Sequence, residues 1–251
     1  MFVRTIAALL FAGSVALLPV VAQAQEEQPL TPKQQEAVKK LVHDYIMENP
    51  QVVAEAIEAL REKEELAAES EAKKALTDRK DDIFNDANSP VLGNEAGDVT
   101  IVEFFDYRCP YCKSVVDSLF DAVKSDGKIR LVMKELPVLG PDSVQAARAA
   151  LAARPQKKYE EFHRALMHIK GPVNEQVVMK TAAEAGLNVE KLKKDMEDDQ
   201  IDKELRDNIQ LAHALNLSGT PGFIIGDEIV RGAMNPQSMK QLIDLARKPK
   251  S

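Results

Sequence analysis

The most constraining feature of this chain is a switch of texture within a few residues. Val99–Phe105 is a short apolar run of strand character, and Asp106-Tyr107-Arg108-Cys109-Pro110-Tyr111-Cys112-Lys113 follows it at once, carrying the only two cysteines among 251 residues. A strand that passes directly into a helix is a building unit of an α/β fold. The helix start is marked as well. Cys109 falls at the N-cap and Pro110 at the first helical position, where its missing N–H costs nothing. Unpaired backbone N–H groups and the helix dipole favour a thiolate there, and Arg108 and Lys113 add positive charge. Cys109 is therefore the expected nucleophile, forming a mixed disulfide with substrate. Cys112, one turn further in, is the expected resolving thiol.

Other uses of two cysteines fit this pattern less well. Structural zinc takes four ligands, yet there is no second Cys pair. His163 and His168 are five residues apart, an awkward spacing for one helix face, and read as surface or packing residues. A structural disulfide across so short a loop removes little entropy from the unfolded chain. Inert buried thiols have no need of Pro at the first helical position.

Two further signals stand near the pair in chemistry, not in sequence. Glu103 interrupts the apolar run Ile101-Val102-Glu103-Phe104-Phe105. Its carboxyl is expected to point into the core beside the cysteines, where burial raises its pKa and lets it relay protons for Cys112. The alternative is an edge-strand Glu facing water. The second signal is Ser218-Gly219-Thr220-Pro221-Gly222, just before the last strands. Pro221 cannot sit in the middle of a sheet, so it marks a turn and is compatible with a cis bond.

The rest of the chain supplies context. Arg4 precedes an apolar run at residues 6–21 that ends in Ala22-Gln23-Ala24, the layout of a signal peptide cleaved after Ala24. The alternative, a membrane anchor, calls for about 20 apolar residues; this run is shorter and is broken by Gly13, Ser14 and Pro19. Exported proteins stapled by disulfides spread their cysteines along the chain, unlike this one. The formal charge of −7 and the lack of a basic tract exclude a nucleic-acid partner.

Residues 31–86 contain no Gly and are rich in Ala, Glu, Lys and Gln. Val38, Leu41, Val42, Tyr45 and Ile46 recur at helical spacing, as do Val52, Val53, Ala56, Ile57 and Leu60. Thr31-Pro32 reads as N-cap and first helical residue, and Asn49-Pro50 separates two helices. Two short amphipathic helices cannot offset their own ordering entropy, so they pack on copies of themselves or fold back on their own domain. Self-association through residues 31–60 is the preferred expectation, with the charged stretch to Asp86 as a solvated helical connector. Residues 88–93 look like a turn. Ile129–Glu135 reads as a strand, residues 141–217 as helices with breaks near Pro155, Gly171-Pro172 and Gly186. Gly226-Asp227 reads as a two-residue hairpin turn, and Asn235-Pro236 as the start of a closing helix.

Phe104-Phe105, Cys109-Pro110-Tyr111-Cys112, Gly219-Thr220-Pro221-Gly222-Phe223 and the helical insert together resemble the DsbA-like branch of the thioredoxin superfamily, over about residues 91–245. The resemblance implies an α/β thioredoxin fold with an inserted helical domain, a cis-Pro221 packed beside the cysteines, and Glu103 as the buried acid. It further implies that Thr220 and Pro221, with Pro110 and Tyr111, form the substrate-binding surface. The N-terminal arm departs from simple DsbA oxidases. Residues 45–53, the dipeptide Pro110-Tyr111 and Thr220 look like those of ScsC-like relatives, which oligomerise through such an arm and act as disulfide isomerases. The expected organisation is a signal peptide at 1–24, a helical oligomerisation arm and connector at 25–87, and a DsbA-like domain at 88–251 with its insert at about 141–217.

The expected function is thus a periplasmic disulfide isomerase or reductase acting on exported proteins with thiols or disulfides. It would use no cofactor beyond its own thiols and no metal, and a membrane redox partner, either a DsbD-like reductase or a DsbB-like oxidase. The competing readings are a DsbA-like oxidase that donates its disulfide, and a chaperone-like or Cu(I)-carrying protein.

Overall fold

The computed structural model describes residues 29–248, so the expected signal peptide lies outside the described residues. No helix among the described residues is long and apolar enough to cross a membrane. The chain divides into two compact units between Ala59 and Leu60.

The first unit holds α1 (Pro32–Glu48) and the start of α2 (Gln51–Asp78). Thr31 caps α1 through a capping box with Gln34, each side chain serving the other's backbone, and Pro32 occupies the first turn. α1 has no buried residue. Its apolar stripe, Val38, Leu41, Val42, Tyr45 and Ile46, is exposed.

The second unit contains α3 (Lys80–Phe84), β1 (Val91–Gly93), β2 (Val99–Phe105), α4 (Pro110–Asp126) and β3 (Ile129–Glu135). Helices α5 (Pro141–Ala152), α6 (Tyr159–Met167), α7 (Glu175–Glu184), α8 (Val189–Asp195) and α9 (Asp199–Ala214) follow, then β4 (Gly222–Ile225), β5 (Glu228–Arg231) and α10 (Pro236–Ala246). One sheet runs in the order β1-β3-β2-β4-β5. β2 and β3 are parallel and in register from Val99↔Ile129 to Phe105↔Glu135; the other pairings are antiparallel. This is the α/β plan expected above, with five helices between β3 and β4.

Both faces of the sheet are covered, which explains why β2 and β3 read as nearly continuous apolar runs. On one face Ile101, Phe105, Leu131, Met133 and Phe223 pack with α4, α10 and the inserted helices. On the other, Val102, Phe104, Val132 and Ile224 pack with Leu211, Leu215, Leu76 and Ile83. The last two correct the expectation of a solvated connector. α2 continues unbroken to Asp78, and Ala72, Leu76 and Ile83 are buried among their charged neighbours. Polar ties hold the segment that follows: Lys134, itself buried, pairs with Asp86 at 2.8 Å, Arg130 donates to the Phe84 carbonyl at 2.6 Å, and Arg154 donates to the Asn88 carbonyl. The stretch read as a turn also carries β1, three residues paired with β3.

Candidate active site

β2 delivers the chain to the site. Side chains alternate along a strand, so Glu103 shares the face of Ile101 and Phe105, the face covered by α4. It lies in the central strand between Met133 and Phe223 and is 2% exposed, not at an edge facing water. Burial pushes its carboxyl up to about 8.

A turn at residues 106–108 links β2 to α4. Cys109 is the N-cap with extended backbone (φ −73°, ψ 118°), Pro110 starts the helix, and Gly127 closes it in the left-handed region (φ 69°). The first-turn amides of α4 therefore lie at the Cys109 end without helical acceptors. Cys109 keeps 4% of its surface and Cys112 none, whereas Tyr111 between them is 65% exposed. Of the two cysteines, only Cys109 keeps any exposed surface. Burial, and then the charge of Glu103, drive the Cys112 thiol strongly upward; hydrogen bonds from the Asp106 backbone and the Thr220 side chain oppose this.

The segment before β4 closes the site from far along the chain. The Thr220–Pro221 peptide bond is cis, and the Cys109 thiol donates to the Thr220 carbonyl at 3.1 Å across 111 residues. Pro221 is buried beneath, while Pro110 stands exposed at the rim. All seven residues singled out from the sequence fall in this one region: the two thiols, Glu103 under them, Pro110 and Tyr111 on the outer turn of α4, and Thr220-Pro221 opposite.

Two features of the site escaped the sequence reading. Asp106 has a buried carboxylate, and the buried Glu135 accepts from the hydroxyls of Tyr107 at 2.8 Å and Tyr159 at 3.0 Å. Tyr107 also reaches His163 Nδ1 at 3.0 Å. His163 is packed among Phe105, Phe120 and Tyr159, and burial drives it down to about 3, so it is a neutral packing residue. Its neighbour His168 is exposed and pairs with Asp117 at 3.1 Å. The Lys113 ammonium donates to the Ile169 carbonyl at 2.6 Å.

Known proteins resemble this chain. Residues 85–245 match the family described as Thioredoxin, and residues 34–67 match the one described as Copper resistance protein ScsC N-terminal domain. A thioredoxin-like oxidoreductase from Silicibacter pomeroyi DSS-3 is 46% identical, with 68% of this chain and 99% of that one covered and a TM-score of 0.67. ScsC from Proteus mirabilis in a transitional conformation is 30% identical, covering 87% of this chain and 97% of its own, at a TM-score of 0.66. Among curated relatives, disulfide bond formation protein D of Bacillus subtilis is 26% identical over 174 residues, 64% of this chain and 78% of that protein. The chain spans about a quarter, 24%, of the length of the first curated relative, the Na(+)/H(+) antiporter NhaA 1 of Salinispora arenicola, at 25% identity over 158 residues. The chain belongs to the thioredoxin family, among the thiol–disulfide oxidoreductases of the DsbA and ScsC type.

Proposed function

We propose that this protein is an exported disulfide isomerase or reductase that works in the periplasm as a homo-oligomer. The observation that carries the reading is the exposed apolar stripe Val38, Leu41, Val42, Tyr45 and Ile46 on α1, in the segment that matches the ScsC N-terminal domain. A stripe of this spacing left in water favours association with like helices. Such an oligomer brings several copies of the Cys109 site to one misfolded chain.

In the proposed cycle the Cys109 thiolate attacks one sulfur of a substrate disulfide, forming a mixed disulfide and releasing the other sulfur as a thiolate. That thiolate, or another on the same substrate, attacks the mixed disulfide, restores Cys109 and leaves a rearranged pairing with no net redox change. When rearrangement stalls, the ionised fraction of Glu103, which grows as pH approaches about 8, takes the proton of the Cys112 thiol. The resulting thiolate attacks Cys109, freeing the substrate thiol and leaving a Cys109–Cys112 disulfide. A DsbD-like membrane reductase would return the pair to thiols. Thr220-Pro221 and the exposed Pro110-Tyr111 frame the substrate backbone.

The test is reactivation of scrambled ribonuclease by the reduced chain beside Leu41→Glu/Ile46→Glu. Point variants are preferable to a deletion of residues 31–86, because Ala72, Leu76 and Ile83 belong to the core of the second unit. The expected outcome is strong reactivation that drops about tenfold or more in the charged variant while glutathione exchange at Cys109 is unchanged. Equal reactivation by both would sink the oligomeric isomerase. Fast oxidation of reduced ribonuclease, with no reactivation, would make the protein a DsbA-like oxidase served by a DsbB-like partner.

A further inference from the structure

Asp106 follows the last residue of β2 and is 1% exposed. Among the described residues no cation lies within ion-pair distance of its carboxylate; neutral donors hold it. Oδ1 accepts from the Arg108 backbone N–H at 2.7 Å and from the Ser143 hydroxyl at 2.7 Å, and Oδ2 accepts from the Leu139 N–H at 3.0 Å. The Arg108 guanidinium in turn donates to the Leu139 carbonyl at 2.5 Å, which closes a ring through residues 106, 108 and 139. The main chain of Asp106 faces the other way. Its carbonyl accepts from the Cys109 N–H at 3.0 Å. One residue therefore holds the Cys109 backbone through its main chain and the segment leading into α5 through its side chain.

A buried carboxylate held by neutral donors is costly to desolvate, so a site that keeps one gains something from its geometry. Thiol exchange requires the attacking and leaving sulfurs to lie in line, and a misplacement of about 1 Å costs on the order of 100-fold in rate. Residues 106–108 are the only covalent connection from β2 to Cys109, and a turn of this kind is loose unless tied. We propose that Asp106 is the positioning residue for thiol exchange, holding the turn against residues 139–143 so that the Cys109 sulfur keeps its place opposite Thr220. This rests on the reading of Cys109 and Cys112 as the exchanging pair. It makes the start of the helical insert part of the redox site: Ser143 acts on Cys109 through Asp106.

The test uses the full chain with Asp106→Asn, Ser143→Ala and their combination. Asn fills the same space but turns one acceptor oxygen into a donor, which faces an N–H or O–H already present. The readout is the pH profile of exchange with oxidised glutathione, taken well below each variant's melting temperature so that only folded molecules count, together with the equilibrium constant against the glutathione couple. Asp106→Asn is expected to lower the high-pH plateau of the exchange rate about tenfold or more, Ser143→Ala about threefold, and the combination no further than Asp106→Asn alone. A lower melting temperature with an unchanged plateau and equilibrium constant would mean a fold buttress only, and would overturn the proposal. If Asp106→Asn does not fold, Ser143→Ala decides: an unchanged plateau there overturns it equally. Cys109→Ala separates the two layers, because exchange that survives it defeats the underlying redox reading, while exchange abolished by it leaves only the role of Asp106 in question.

Discussion

Glu103 imposes a pH-dependent cost on the folded chain. The free carboxyl ionises near 4.5, and the buried one holds its proton up to about pH 8. Between those values the folded state binds a proton that the unfolded state has released, so stability falls as pH rises, by about 1.4 kcal/mol per unit. The contribution is intact below about pH 4.5 and gone by about pH 8. Glu103→Gln stays neutral throughout. In urea titrations of the dithiol form it should match the parent near pH 4.5 and exceed it at pH 8 by roughly 2–4 kcal/mol. The same variant should release mixed disulfides about tenfold or more slowly, because the Cys112 thiol loses its proton acceptor. Cys112→Ala goes further: mixed disulfides between Cys109 and substrate should accumulate and be visible by mass spectrometry, and their absence would count against Cys109 as the nucleophile. Glu103 was legible in the sequence because a single acid inside an apolar strand has one sensible place to point. Asp106 was not, since the two groups that hold its carboxylate from outside the turn, the Leu139 N–H and the Ser143 hydroxyl, lie 33 and 37 residues away in the chain.

At the scale of elements, local signals were strong wherever a cap or a turn residue fixed the backbone. Thr31, Cys109-Pro110 and Asn235-Pro236 each mark a helix start that the structure contains, and Gly226 (φ 62°) makes the turn between β4 and β5. The end of α2 and α3 were harder. Ala72, Leu76 and Ile83 form a narrow apolar line among many charges, and such a line reads as solvated unless its partner surface is known. That surface is the second face of the sheet. Ile83→Ala should therefore destabilise the protein by about 2–4 kcal/mol in urea denaturation, whereas exposed Lys80→Ala should stay within about 0.5 kcal/mol. Equal effects would mean that the connector is not part of the core. β1 escaped notice for another reason: three residues are too few to show a period.

Across the whole molecule, the exposed stripe of α1 makes a prediction separate from mutation. If copies associate through it, reactivation of scrambled ribonuclease per chain should fall on dilution below the association constant, while exchange with glutathione per chain stays constant. Reactivation that is flat with concentration would leave the arm without that role. The amino-acid sequence by itself determined the element plan and the seat of the Cys109-Pro110-Tyr111-Cys112 motif at a helix start, since caps and periodicities act between residues close along the chain. Only the tertiary structure decided what meets the thiols and what covers the sheet. Thr220 reaches Cys109 across 111 residues, Ser143 reaches Asp106 across 37, and Ile83 closes against Phe104 and Ile224. Contacts of that range follow from how the elements pack together, and no local pattern encodes which side chain will stand opposite another once they do.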